Sequence, residues 1–197
     1  MKKSITIIGQ TGVGKSTFGE NISKELNLPF FDLDKEVEKN LGTTIKNAYK
    51  EMKPEKITET FISTYESLYN NKCIISVGGY FPIVYTDGMK IKQNIIYLNS
   101  SIDFFKKRIE ELKQNPNTPE NKNRRILLEK DENAIERHFF ERHLVYASIV
   151  AETDNSYSIE INSNKDLNEA VEHFHNIFKN KKHLKTIKHK NKNSIKL

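Results

Sequence analysis

Nine consecutive residues near the start of the chain, GQTGVGKST from Gly9 to Thr17, carry the spacing G-x-x-x-x-G-K-[ST]. Glycines so placed let backbone N–H groups curl around phosphate oxygens, and a helix opening there adds its partial positive charge. The candidate nucleotide contacts are therefore Gly12, Val13, Gly14, Lys15, Ser16 and Thr17. Lys15 would reach the β- and γ-phosphates of ATP and the Ser16 hydroxyl would ligate Mg2+. The loop predicts a nucleotide and says little about the reaction that follows.

A second constellation, FFDLDKEVEK, sets Asp32 and Asp34 two residues apart at the end of a short apolar run. If both stand on a strand they share a face, and at the carboxyl end of a parallel sheet that face meets the ligand. Two carboxylates near a triphosphate repel it unless one faces the magnesium shell and the other a hydroxyl. The second can orient an alcohol for attack on the γ-phosphate and accept its proton. Asp34 capping the helix DKEVEKNLG is the structural alternative, and it is compatible with that role.

The elements that must position these groups alternate. SITIIG, PFFDL, CIISVG, NIIYLN and YSIEIN read as strands, and helices are expected over about 15–26, 101–113, 131–151 and in DLNEAVEHFHNIFK. Strands alternating with helices imply a mostly parallel sheet, and wholly apolar strands imply that both faces are covered. The fold class is thus α/β, three layers with about five strands. In the last helix, Asp166 is expected as the cap, with Leu167, Ala170, Val171, Phe174 and Phe178 on one face. The polar, proline-containing stretch at about 113–128 reads as a mobile lid. Residues 1–178 form one domain, followed by a basic, disordered tail over 179–197.

The formal net charge of +6 belongs to that tail, whose eight lysines exceed the whole surplus and leave the remainder net acidic. The tail has no interleaved aromatics for base stacking, so no specific nucleic-acid partner is expected. No apolar run is long enough to span a bilayer, so a cytoplasmic protein without membrane contact is expected. Cys73, the single cysteine, falls in an apolar run and reads as a core residue, and the six histidines show no metal-ligand pattern.

From about Ile5 to Phe178 the chain resembles the shikimate kinases, within the nucleoside-monophosphate-kinase-like group of P-loop NTPases. The phosphate loop, the D-x-D, the GTTI that follows it, IISVGGY, RRILL and ERHLVYASIVAETDN match the family's motifs in order. The resemblance implies ATP- and magnesium-dependent phosphorylation of the 3-hydroxyl of shikimate, a step of aromatic amino acid biosynthesis, by a monomeric transferase with a small-molecule substrate. By matched position, Asp34 would hold the acceptor hydroxyl as base, and Asp32 would lie near magnesium with Ser76 beside it. Gly78 and Gly79 would let the backbone approach the substrate, and Arg142 would bind its carboxylate. Arg125 in the lid would close over the phosphates, or Arg124 if the register shifts by one, and Asn162 would flank the adenine.

The match departs at three places. The family's second carboxylate-binding arginine falls on Thr58, Ile62 or Ser63, and Lys53 or Lys56 is the candidate replacement, though a lysine lacks the bidentate fork. Tyr80 fills the third position of the glycine triplet, adding bulk and restricting any positive φ, and Ile126 replaces the lid proline. These departures leave two other readings open: a kinase for another small hydroxy acid such as gluconate, and a catalytically silent nucleotide-binding protein. A nucleoside monophosphate acceptor is disfavoured by the D-x-D placement and the short lid.

Overall fold

In the computed structural model the described residues are 4–90, 94–114 and 131–180, with the backbone of 194 and 195. Six strands form one all-parallel sheet in the order β2-β3-β1-β4-β5-β6. They are β1 (Ile5–Gly9), β2 (Phe30–Asp32), β3 (Ile74–Ser76), β4 (Ile95–Asn99), β5 (Tyr157–Glu160) and the two-residue β6 (Ser194–Ile195). The chain leaves β1 to one side, builds β2 and β3 there, and returns on the other side at β4. That reversal opens a crevice at the carboxyl end of β1, where α/β sheets bind ligands.

Helix α1 (Lys15–Leu26) follows the phosphate loop, and α2 (Leu33–Leu41), α3 (Ile45–Glu51) and α4 (Pro54–Tyr69) fill the stretch between β2 and β3. Two short helices, α5 (Phe81–Val84) and α6 (Thr86–Lys90), lead into β4, and α7 (Ile102–Gln114) follows it. Helix α8 (Glu132–Glu152) returns the chain to β5, and α9 (Asn164–Asn180) follows. Asp131 caps α8 by accepting from the Ala134 N–H at 2.8 Å. The helix spans expected at α1, α7 and α8 agree within a residue or so.

Each face of the sheet carries its own core, giving three layers. On one face Ile5, Ile7, Ile74, Ile96 and Leu98 pack with Phe18 and Ile22 of α1 and Leu167, Ala170 and Phe174 of α9. Phe18 and Phe174 meet edge to face at 6.0 Å, and burying an aromatic of that size contributes about 1.5–3 kcal/mol. On the other face Ile8, Ile75, Val77 and Tyr97 pack with α2, α3, α4, α6 and α8 through Val37, Ala48, Phe61, Tyr65, Met89 and Tyr146. Cys73 is buried in this second core as a free thiol.

Two local expectations change. Asp34 lies inside α2 and not on the strand, because β2 ends at Asp32, whose carboxylate caps the helix from the Asp34 and Lys35 N–H groups. The cap of α9 is Ser163, whose Oγ accepts from the Asp166 N–H at 3.1 Å while the Asp166 carboxylate accepts from the Ser163 hydroxyl at 2.7 Å and the Asn162 N–H at 2.7 Å. Asp166 is thus the reciprocal third position of a capping box. The Phe178 side chain, residues 115–128 of the lid and, apart from the backbone of 194 and 195, residues 181–197 of the tail lie outside the described residues.

Candidate active site

The phosphate loop is shaped by backbone conformation and by space. Gly14 holds φ 99° and starts α1 with no side-chain cap, so the N-terminal dipole of the helix faces the loop. A Cβ there would also stand 2.8 Å from Leu167 Cδ2 of α9. The Lys15 ammonium lies across the loop mouth, donating to Gly9 O at 3.0 Å and Gln10 O at 2.9 Å. Gln10, fully buried, donates its amide to Phe139 O of α8 at 2.9 Å and so ties the loop to that helix.

Beside the loop, the Ser16 hydroxyl donates to Asp32 Oδ2 at 3.3 Å. Strand register sets Asp32 opposite Ser76, and Ser76 in turn opposite Ile7 of β1. A hydroxyl, a carboxylate and a second, buried hydroxyl therefore converge at one sheet edge. Such hard oxygen donors suit magnesium, which takes one or two protein ligands and fills its remaining positions with water and phosphate oxygens. Among the described residues no group of three or more His, Cys, Asp or Glu gathers into a metal cage.

The acceptor side is built from α2, the turn after β3, and α8. A Cβ on Gly78 would lie 2.4 Å from both carboxylate oxygens of Asp34, and one on Gly79 would lie 1.8 Å from an Arg142 guanidinium nitrogen. The two glycines are required for space and not for conformation, since neither has positive φ. This pair of contacts brings Asp34 and Arg142, distant in sequence, against consecutive residues of one turn. Tyr146, one helical turn after Arg142, donates to Gly79 O at 3.4 Å, so that both side chains lie against Gly79. Burial pushes its phenol up to about 12, opposed by the positive charge of Arg142.

Sequence reasoning placed Tyr146 in the family-like ERHLVYASIVAETDN segment but gave it no role, although it is the i+4 partner of Arg142 and the helical spacing was the available signal. It also passed over Arg108 of α7, which donates to Gly12 O at 3.1 Å and pairs with Glu111 at 2.6 Å. Being the first arginine of the chain was its only mark.

Other expected site residues fare differently. The Asn162 side chain accepts from the Ser101 N–H and donates to Glu160, each at 2.9 Å, and so pins the turn after β5 to the turn after β4. Lys53 and Lys56 are exposed at the start of α4. Of the three positions for the absent arginine, Ile62 packs against the core, Thr58 is half-buried, and Ser63 is exposed with its hydroxyl on Thr60 O. Tyr80 sits in the right-handed helical region at φ −81°, so the third glycine position needs no left-handed backbone here and the expected conformational restriction does not arise. Arg124, Arg125 and Ile126 lie outside the described residues.

The phosphate loop at the head of a parallel sheet, with a carboxylate and a guanidinium at the adjoining crevice, defines the class as a P-loop phosphotransferase of the nucleoside-monophosphate-kinase-like type. The shikimate kinase family model matches residues 11–175, and the chain belongs to the shikimate kinase family. A shikimate kinase of Buchnera aphidicola is 28% identical over 131 residues, 65% of this chain and 76% of that protein. The crystal structure of shikimate kinase from Bacteroides thetaiotaomicron superposes with a TM-score of 0.67 at 20% identity, covering 89% of this chain and 98% of that one. Shikimate kinase from Acinetobacter baumannii in complex with shikimate gives a TM-score of 0.65 at 20% identity over 91% and 94% of the two chains. The protein is accordingly an ATP-using phosphotransferase with an alcohol acceptor. Among the described residues no helix is long and apolar enough to cross a membrane.

Proposed function

We propose that the protein transfers the γ-phosphoryl group of ATP to the 3-hydroxyl of shikimate, with magnesium, in the cytoplasm. The observation that carries this reading is the turn at Gly78 and Gly79, which holds the Asp34 carboxylate and the Arg142 guanidinium against adjacent backbone positions beside the phosphate loop. A hydroxy acid presents a hydroxyl to the first and a carboxylate to the second.

Lys15 exchanges the loop carbonyls for phosphate oxygens and neutralises charge as it moves onto the transferring group. Ser16 and Asp32 are the residues that would hold magnesium, which when bound supplies charge neutralisation at the β- and γ-phosphates. Asp34 orients the acceptor hydroxyl and takes its proton as the oxygen attacks. Arg142, lying with Tyr146 against Gly79, fixes the carboxylate so that the hydroxyl faces the phosphate, and this positioning carries much of the rate enhancement. Arg125 is assigned to closure over the phosphates on the strength of the family motif alone.

The test is product identification. Purified protein, ATP, magnesium and shikimate should yield a single phosphate ester at the 3-hydroxyl by phosphorus NMR, and chelation of magnesium should abolish it. Phosphate appearing only as the free ion would contradict the reading.

A further inference from the structure

Two tyrosines pack against each other beside the turn that holds Asp34 and Arg142. Tyr80, immediately after Gly79, sets its ring edge-on to Tyr49 of α3 at 6.2 Å and 88°, and to Phe61 of α4 at 6.2 Å and 64°. Phe61 lies between Thr58 and Ile62, two of the three positions to which the absent arginine can be matched. Large aromatics packed this way are usually sealed, yet Tyr49 keeps 43% and Tyr80 39% of its surface exposed. The Tyr49 phenol adjoins that of Tyr80, and the negative charge of Asp34 reaches it. Burial, the Tyr80 hydroxyl and the neighbouring charges all push the Tyr49 phenol upward, so it stays protonated at neutral pH. The partly exposed Tyr80 brings a phenol O–H, a single donor, one residue from the Gly79 backbone that lies against Arg142.

We propose that Tyr80, oriented by its packing against Tyr49, is a specificity-determining residue of the acceptor site, donating its hydroxyl to an oxygen of the acceptor. The acceptor it fits is a small monocarboxylate with several hydroxyls, held by one guanidinium through Arg142 and by a neutral donor opposite. A phenol has one donor and no charge, so it grips a carboxylate less firmly than a guanidinium and accepts a hydroxyl as readily. The site should therefore bind shikimate more weakly than a two-arginine site and discriminate less sharply among hydroxy acids.

This inference rests on the acceptor-site reading above, and the experiment separates the two. Wild type, Y80F, Y49F and Y49F/Y80F are assayed with shikimate and with D-gluconate, the phenylalanines keeping the ring packing. Loss of one neutral hydrogen bond should raise the shikimate KM of Y80F by about five- to tenfold. The Y80F kcat and ATP KM should stay within about twofold of wild type, as expected when only a ground-state acceptor contact is lost. The double variant should be no worse than Y80F, because Tyr49 acts only through Tyr80. A Y80F enzyme with wild-type shikimate KM overturns the proposal and leaves the kinase reading standing. An ATP KM that rises as much as that of shikimate also overturns it, since the change would then be structural. Wild type inert with shikimate but active with gluconate, at a KM raised in Y80F, removes the shikimate assignment and supports the tyrosine. Inertness toward both acids removes both.

Discussion

Gly79 and Arg142 show how much of this site depends on the absence of a side chain. A methyl group at Gly79 would occupy the space of the Arg142 guanidinium, and one at Gly78 that of the Asp34 carboxylate. Gly79→Ala should therefore displace Arg142 and raise the acceptor KM by about tenfold or more, the cost of one charge-assisted hydrogen bond, with the ATP KM unchanged. Steady-state kinetics in both substrates check this, and an unchanged acceptor KM would contradict the placement of Arg142. The glycines, Asp34 and Arg142 were legible because motif chemistry ties a residue type to a task. Tyr146 and Arg108 were not, since their value lies in partners, Gly79 O and Gly12 O, that only the tertiary fold brings within reach.

At the level of elements, the helices were legible where apolar spacing was strong and the exact caps were not. Asp166 and Ser163 both carry capping side chains, and only the chain path after β5 decides which one starts α9. The Ser163 hydroxyl, the chief cause, together with the Asn162 and Ser163 N–H groups and Lys165, holds the Asp166 carboxyl below its usual range against an opposing burial cost. A carboxyl lowered on folding adds stability above its unfolded value and loses it as pH falls through the folded one. Asp166→Ala should then cost about 0.5–2 kcal/mol at neutral pH, with the gap to wild type closing below pH about 4. Urea denaturation at several pH values measures it, and a gap constant with pH would contradict the cap. The start of α4 was equally local, with Pro54 in its first turn, yet its alignment to the family motif stayed ambiguous. Neither Thr58, Ile62 nor Ser63 faces the site with charge, and what stands beside Phe61 instead is Tyr80, contributed by a different part of the chain.

Across the whole molecule, the α/β class and the parallel sheet followed from strand and helix alternation, whereas the order of the strands did not, because apolar runs such as CIISV and NIIYL carry no label for their neighbour. The order β2-β3-β1-β4-β5 is what sets Asp32 beside Ser76 and both beside the phosphate loop. Because that loop is part of the sheet's central connection, ligand binding should stabilise the fold as a unit. Mg-ATP at about a hundred times its Kd should add about 2.7 kcal/mol, a Tm rise of roughly 5–10 °C for a chain of this length. Lys15→Ala should lose most of that rise, and calorimetry showing equal shifts in both proteins would contradict the assigned phosphate contact. The most direct test of the central claim is ADP release from Mg-ATP with and without millimolar shikimate, in wild type and in Asp34→Asn. Shikimate-dependent release in wild type that falls by about a hundredfold or more in the variant, with ATP binding retained, is the expected result. Equal turnover by the two proteins would show that Asp34 does not prepare the acceptor.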